Sequence, residues 1–136
     1  MAFTGALEER VRIRELYSRY ADAVFRQEVD AYLACWHPDG VRTSYGEELR
    51  GKDALRRSWH SIWSTIERMA FFSEVGAIDV DGDTATARCY CREIIERKDG
   101  KVWKVVGCYE DELVQENGAW VFLTRRYSLL INEKPA

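Results

Sequence analysis

The chain has 136 residues, of which 46% are hydrophobic and 32% charged, the composition of one ordinary globular domain with its own core, which argues against disorder. A formal charge of −3 with both signs interspersed leaves no basic stripe for a phosphate backbone and argues against nucleic acid as a partner. No apolar run approaches the roughly 18 residues of a membrane span, and Met1 to Glu9 lacks the basic and apolar parts of a secretion signal, so the expected location is the cytoplasm, with no membrane partner.

In chain order, the first element is an amphipathic helix in which Ile13, Leu16, Tyr17, Tyr20 and Val24 recur at three- and four-residue steps and form one apolar stripe. Tyr20 is the polar tip of that stripe. Its hydroxyl either completes a core hydrogen bond or offers a proton to a ligand. An acidic bend at Gln27 to Asp30, a second short helix and Trp36-His37-Pro38-Asp39-Gly40 follow. Val41 to Tyr45 reads as a short edge strand or extended loop ending in the turn at Gly46. A third helix is expected from Asp53, with Leu55, Trp59, Ile62, Trp63, Ile66 and Met69 on its buried face. Trp59 and Trp63 are either core or the wall of a pocket.

From Phe71 the period changes to two. A strand to Val80, the Asp81-Gly82 turn, a long strand from Thr84 to about Arg97, Asp99-Gly100, a strand from Val102 to Gln115, Asn117-Gly118 and a last strand from Trp120 to Ile131 predict a four-stranded antiparallel meander. Asn132 to Ala136 is expected to be a loose tail. Three helices before the strands make the class α+β, with the helices across one face of a curved, mainly antiparallel sheet.

Alternation assigns the faces. Ala85, Ala87, Cys89 and Cys91 form a small apolar row under the helices, and Glu93 falls on the same covered side, where a carboxylate is at an open rim, paired with an arginine, or kept protonated. Val105, Gly107, Tyr109, Asp111 and Leu113 share a face, so Asp111 raises the same question, and Gly107 is expected to leave space over the sheet. The outer row of Arg88, Tyr90 and Arg92 is mixed enough to meet a second subunit. The four cysteines, Cys35, Cys89, Cys91 and Cys108, match none of the usual ligand spacings, so reduced core roles are expected and no metal.

Further candidates are His37, Tyr45, His60, Arg125 and Arg126. His37 either fixes the turn before Pro38 or faces a ligand. His60 lies about 100° from Trp59 around the helix, at the flank of any pocket. Either Arg125 or Arg126 could bind a phenolate or carboxylate, and a one-residue bulge near Thr124 would exchange their roles.

Several segments in order carry a resemblance: Leu16-Tyr17-Ser18-Arg19-Tyr20-Ala21, His37-Pro38-Asp39-Gly40-Val41, Gly51, Val80-Asp81-Gly82-Asp83-Thr84-Ala85, Gly107-Cys108-Tyr109-Glu110-Asp111, and Gly118-Ala119-Trp120 leading to Arg125-Arg126. Together they resemble the SnoaL-like branch of the nuclear transport factor 2-like superfamily, the cystatin-like cone that also houses ketosteroid isomerase, scytalone dehydratase and polyketide cyclases. The resemblance covers nearly the whole chain, as one domain of residues 1–136. It implies a conical pocket between sheet and helices, no cofactor, a homodimer through the outer sheet face, and proton transfer beside a carbonyl or loss of water. The family often carries an aspartate near the end of the first helix and a histidine where the strand after the third helix begins; Phe25 and Phe71 stand at those places here. Tyr20 resembles the phenol donor of the isomerases, and Tyr109 and Asp111 lie on the strand that supplies a polar pocket group in several members.

Two functions follow as expectations. One is a cofactor-independent lyase or isomerase (dehydration, double-bond shift, cyclisation or retro-aldol cleavage) acting on an aromatic or polycyclic molecule. Here Tyr20, Asp111, Glu93 and His60 are the catalytic candidates, and Tyr45, Trp59, Trp63, Phe25, Phe71, Tyr109, Arg125, Arg126 and His37 the binding ones. The other is a non-catalytic module that binds a hydrophobic ligand or serves as a dimeric interaction surface, favoured by the two phenylalanines at the expected acid–base positions.

Overall fold

The structure is a computed structural model and describes residues 2–134. Among these, three helices, α1 (Leu7–Arg26), α2 (Val29–Ala34) and α3 (Gly51–Trp63), accompany strands β1 (Phe3–Thr4), β2 (Trp36–Ser44), β3 (Glu47–Arg50), β4 (Ile66–Asp81), β5 (Thr84–Arg97), β6 (Val102–Glu116) and β7 (Ala119–Glu133). The strands form one sheet in the order β1-β4-β5-β6-β7-β2-β3. The antiparallel meander β4 to β7 is its centre, and the class is α+β as expected.

The acidic first turn of α1, Glu8 and Glu9, and Arg26 in its last turn both suit the helix dipole. The helix stops because Gln27 takes a left-handed conformation, φ 55°, and the Gln27 and Glu28 N–H groups turn back to the Val24 and Ala23 carbonyls. Ile13, Leu16, Tyr17, Tyr20, Ala23 and Val24 are all buried against the sheet. Ala85, Ala87, Cys89 and Cys91 beneath them are at most 4% exposed, so the small row lets the aromatic stripe of α1 sit close.

Two expected boundaries move. α3 begins at Gly51 and ends at Trp63, so Ile66 and Met69 belong to β4. Ser64 and Thr65 make the corner, with the Ser64 hydroxyl donating to the Ser61 carbonyl at 2.6 Å. Ile66 lies inward on a strand as it would on a helix, so short-range periodicity does not separate the two. The second shift is at the sheet edge: Trp36 already pairs with Phe122 on β7, residues 37–40 bulge out of the ladder, and β2 resumes at Val41 parallel to β7. The segment 41–45, expected as a short edge strand or extended loop, is strand as far as Ser44, the continuation of the nine-residue β2, and β3 rather than β2 forms the sheet edge. At the other end, Asn132 and Glu133 still pair with β6, while Pro135 and Ala136 of the expected tail lie outside the described residues.

Bulges decide what faces inward. On β7, Thr124 pairs with Glu112 and Phe122 with Leu113, so Leu123 is left over. Phe122 and Arg125 therefore both point inward, and Arg126 points to solvent. Gly107 does not leave open space: the Tyr127 ring lies over it, and a Cβ at that position would stand 2.2 Å from the ring. Among the described residues, no helix is long and apolar enough to cross a membrane.

Candidate active site

A cavity of about 650 Å³ lies between α3 and the inner face of the sheet. α3 supplies its aromatic wall because Trp59 and Trp63 are one turn apart on one face, ring centroids 5.7 Å from each other. Tyr32 of α2 continues that wall, tilted 32° over Trp59 at 4.6 Å. Phe71 and Met69 of β4, Ile95 of β5 and Trp103 of β6 close the apolar side. Tyr20 and Val24 are the contributions of α1, and Tyr109 and Tyr127 those of β6 and β7. Tyr45 stands at the opening, 64% exposed in a left-handed turn conformation, its ring 5.5 Å from that of Tyr127.

Two ionisable groups reach this cavity from the middle of strands. Glu93 continues the inward row of β5 after Cys91 and makes no hydrogen bond or ion pair among the described residues. Burial pushes its carboxyl up to about 7, against the pull of Arg42. Arg42, on β2, donates to the Tyr32 hydroxyl at 3.3 Å and the Ser58 hydroxyl at 3.4 Å. Its Nε is buried without an acceptor, and it takes part in none of the ion pairs among the described residues. The Tyr127 hydroxyl is also buried without a well-aligned partner. Burial, with Glu93 nearby, pushes that phenol above its ordinary range, so it stays protonated and able to donate.

A carboxyl that titrates near neutrality can both take and return a proton, which is the requirement for general acid–base work. Neutral phenols and a guanidinium can hold an oxygen that gains charge. The polar lining of carboxylates, guanidinium groups and phenols has neither the thiolate nor the imidazole ligands of a typical zinc site.

Of the expected residues, Tyr20, Glu93, Tyr45, Trp59, Trp63, Phe71 and Tyr109 meet in this cavity. Asp111 does not. It is paired with Arg125 through two hydrogen bonds of 2.8 and 3.1 Å, and the Tyr17 hydroxyl donates to it as well. Burial raises the Asp111 carboxyl while Arg125 pulls it back. Arg125 itself, 1% exposed, lies 3.7 Å from the centre of the Tyr109 ring and 4.6 Å from that of Tyr20, beneath the cavity floor rather than in it. Tyr20 borders the cavity as a tightly packed residue, 3% exposed, between Tyr32 and Phe71; burial raises its phenol well above the ordinary range.

Four further candidate residues lie away from the cavity. His60 is exposed, because the 100° step from Trp59 carries it to the solvent side of α3. Phe25 is also outside: it is 44% exposed and packs edge-on against Phe72 at 5.4 Å, while Val24 takes the cavity-facing place at the end of α1. His37 fixes its own turn, accepting the Asp39 N–H on Nδ1 at 3.0 Å with Glu116 3.1 Å from Nε2. Arg126 is exposed, opposite Glu110. Sequence reasoning missed Arg42, Tyr32 and Tyr127. Only Arg42 carried a usable signal: an arginine two residues from Gly40 and Ser44 in a segment that reads as a short edge strand or extended loop, so that its face was left unassigned.

The SnoaL-like domain family matches residues 5–126. A search of curated protein sequences finds no match. Among solved structures, a proposed aromatic ring hydroxylase from Novosphingobium aromaticivorans is similar with a TM-score of 0.88 and 24% identity, over 94% of this chain and 93% of that one. A proposed scytalone dehydratase from the same species also has a TM-score of 0.88, at 18% identity over 96% and 89%. A hexachlorocyclohexane dehydrochlorinase, LinA type 2, has 0.85 at 17% identity over 96% and 90%. With the inward cavity, the α+β order and the match across most of its length, this chain belongs to the SnoaL-like family of the nuclear transport factor 2-like, cystatin-like fold.

Proposed function

We propose that this chain is a cofactor-independent lyase or isomerase that moves a proton on a flat hydrophobic molecule, with Glu93 as the proton carrier. The observation that carries this reading is a carboxyl without a partner, held near neutrality inside an aromatic-lined cavity. In the sequence of steps, the ionised Glu93 takes a proton from a carbon beside a carbonyl, and the electron pair of the C–H bond passes to the carbonyl oxygen. The Tyr127 hydroxyl is the donor for that oxygen. The resulting enolate either expels a leaving group from the next carbon or regains the proton from Glu93 at another carbon, which separates elimination from a double-bond shift. Fold neighbours named as a dehydratase and a dehydrochlorinase fit a reaction that begins by taking a proton from carbon. The exposed Tyr90, in the outer row of β5 with Arg88 and Arg92, supports the homodimer as part of this proposal.

A second reading, a binding module without turnover, is favoured by Phe71 in the cavity wall and by the withdrawal of Asp111 into its ion pair, which leave Glu93 without the acid–base partner that was expected. A panel of phenolic and polycyclic ketones, alcohols and diols, screened by thermal shift with product analysis, separates the two. Conversion by the wild type that falls about 10²–10⁴-fold in Glu93→Gln, with binding kept, supports the enzyme. Stabilisation without product at any pH from about 5 to about 9, a window that brackets the titration of a carboxyl shifted as far as this one, supports the binder.

A further inference from the structure

Arg42 is the charged group that the proton-transfer chemistry above does not use, and its surroundings are incomplete. Its two terminal nitrogens are held by neutral hydroxyls, of Tyr32 and Ser58, at 3.3 and 3.4 Å, while no carboxylate lies within ion-pair distance among the described residues. A guanidinium withdrawn from water is held best by an anion that accepts two of its N–H groups at once. The same strand register shows what that looks like when it is satisfied. Arg42 pairs with Arg125, and Arg125 has both contacts to Asp111. Glu93 does not serve Arg42 in this way, since it makes no ion pair with it and burial favours its uncharged form. The other cavity arginines are differently placed: Arg57 is exposed to water, and Arg97 has Asp99 at 3.6 Å.

We infer that the natural ligand of this cavity is an aromatic carboxylate, with its carboxylate on Arg42 and its ring against Trp59 and Trp63. Tyr32 links the two halves of this site, because the hydroxyl that meets Arg42 belongs to the ring that lies on Trp59. Ser58 does the same from α3, one residue before Trp59. The charged end and the flat end are therefore adjacent, which suits a carboxylate attached to the ring directly or through a short spacer. A carboxylate is favoured over a phenol because it is ionised throughout the neutral range, whereas a phenol would first have to lose a proton at a pKa of about 10. This inference rests on the cavity being the ligand site and deepens the function proposed above, but it does not require turnover.

The test is calorimetric binding of matched pairs, benzoate and benzamide, 2-naphthoate and 2-naphthamide, to the wild type, Arg42→Gln, Arg42→Lys and Glu93→Gln, with folding of each variant checked by circular dichroism. For the wild type, at least one carboxylate binds about tenfold or more tighter than its amide, a discrimination expected of a charge-assisted, bidentate contact. Arg42→Gln abolishes that preference while leaving the affinity for the amide, Arg42→Lys keeps part of it, and Glu93→Gln keeps or strengthens it. If Arg42→Gln does not fold, the lysine variant and the wild-type preference decide the matter. Equal binding of carboxylate and amide by the wild type, equal weakening of both by the arginine variants, or no carboxylate bound while a neutral ketone is converted overturns the inference. The last result would leave proton transfer by Glu93 standing. Conversely, a carboxylate preference that depends on Arg42, with no reaction lost in Glu93→Gln, would sink the catalytic reading and keep this one.

Discussion

Arg42 and Arg125 are partners in register on neighbouring parallel strands, and both turn toward the inside of the sheet. Their circumstances are opposite. Arg125 is closed off: Asp111 accepts two of its hydrogen bonds, Tyr17 completes that carboxylate, and the rings of Tyr109, Tyr20 and Phe122 surround the guanidinium. Arg42 and Glu93 border the same cavity without making an ion pair, and burial pushes the carboxyl up to about 7 against the pull of Arg42. A charge pair that is complete within the protein has little left for a ligand, while a cation and an acid kept apart can act on whatever comes between them.

Breaking the closed pair has the largest expected effect. Asp111→Asn leaves Arg125 buried with a neutral partner and should lower stability by about 3–5 kcal/mol, read from urea unfolding. Replacing both, Asp111→Leu with Arg125→Met, should recover most of that loss, since a buried pair is often matched by apolar side chains of similar volume. A double variant as unstable as the single one would mean that the pair is needed for the fold itself.

The open side is sharpened by pH. Glu93 has a folded pKa of about 7 against an ordinary 4.5, so between those values the folded chain binds more protons than the unfolded one. Its contribution to stability therefore falls as pH rises from about 4.5 through about 7 and is constant above that. Glu93→Gln lacks this component, so its melting temperature minus that of the wild type should rise across the same window and then level off. A difference that stays flat with pH would mean that Glu93 has an ordinary pKa and is not desolvated. The smallest effect is expected outside the sheet: Arg126→Ala, one residue from Arg125 but exposed opposite Glu110, should change unfolding free energy by no more than about 0.5 kcal/mol.

The contrast between these arginines also marks how far the sequence could be read. The meander was legible because Asp81-Gly82, Asp99-Gly100 and Asn117-Gly118 are local turn signals between alternating runs. The inward placement of Glu93 followed from counting along β5, which pairs with β6 without a break in register. Arg125 and Arg126 were not separable in this way, because the leftover Leu123 on β7 shifts the count and nothing local announces it. Asp111 was correctly turned inward, with pairing to an arginine among its expected circumstances, but the choice between pairing and catalysis was not legible, since its partner is 14 residues away on another strand. Arg42 was not singled out, because the segment that carries it read only as a short edge strand or extended loop: its pairing with β7 is parallel and distant in sequence and leaves no turn signature.

The sequence by itself determined the α+β order, the central hairpins, the apolar stripe of α1 and the side on which Glu93 lies, because each depends on periodicity and turn chemistry within a few residues. The tertiary structure alone decided which carboxylate is spent on an arginine and which is free, that the Tyr127 ring fills the place above Gly107, and that Arg42 borders the cavity. Those outcomes depend on strand register, on a bulge and on parallel pairing at the sheet edge, which join residues far apart in the chain.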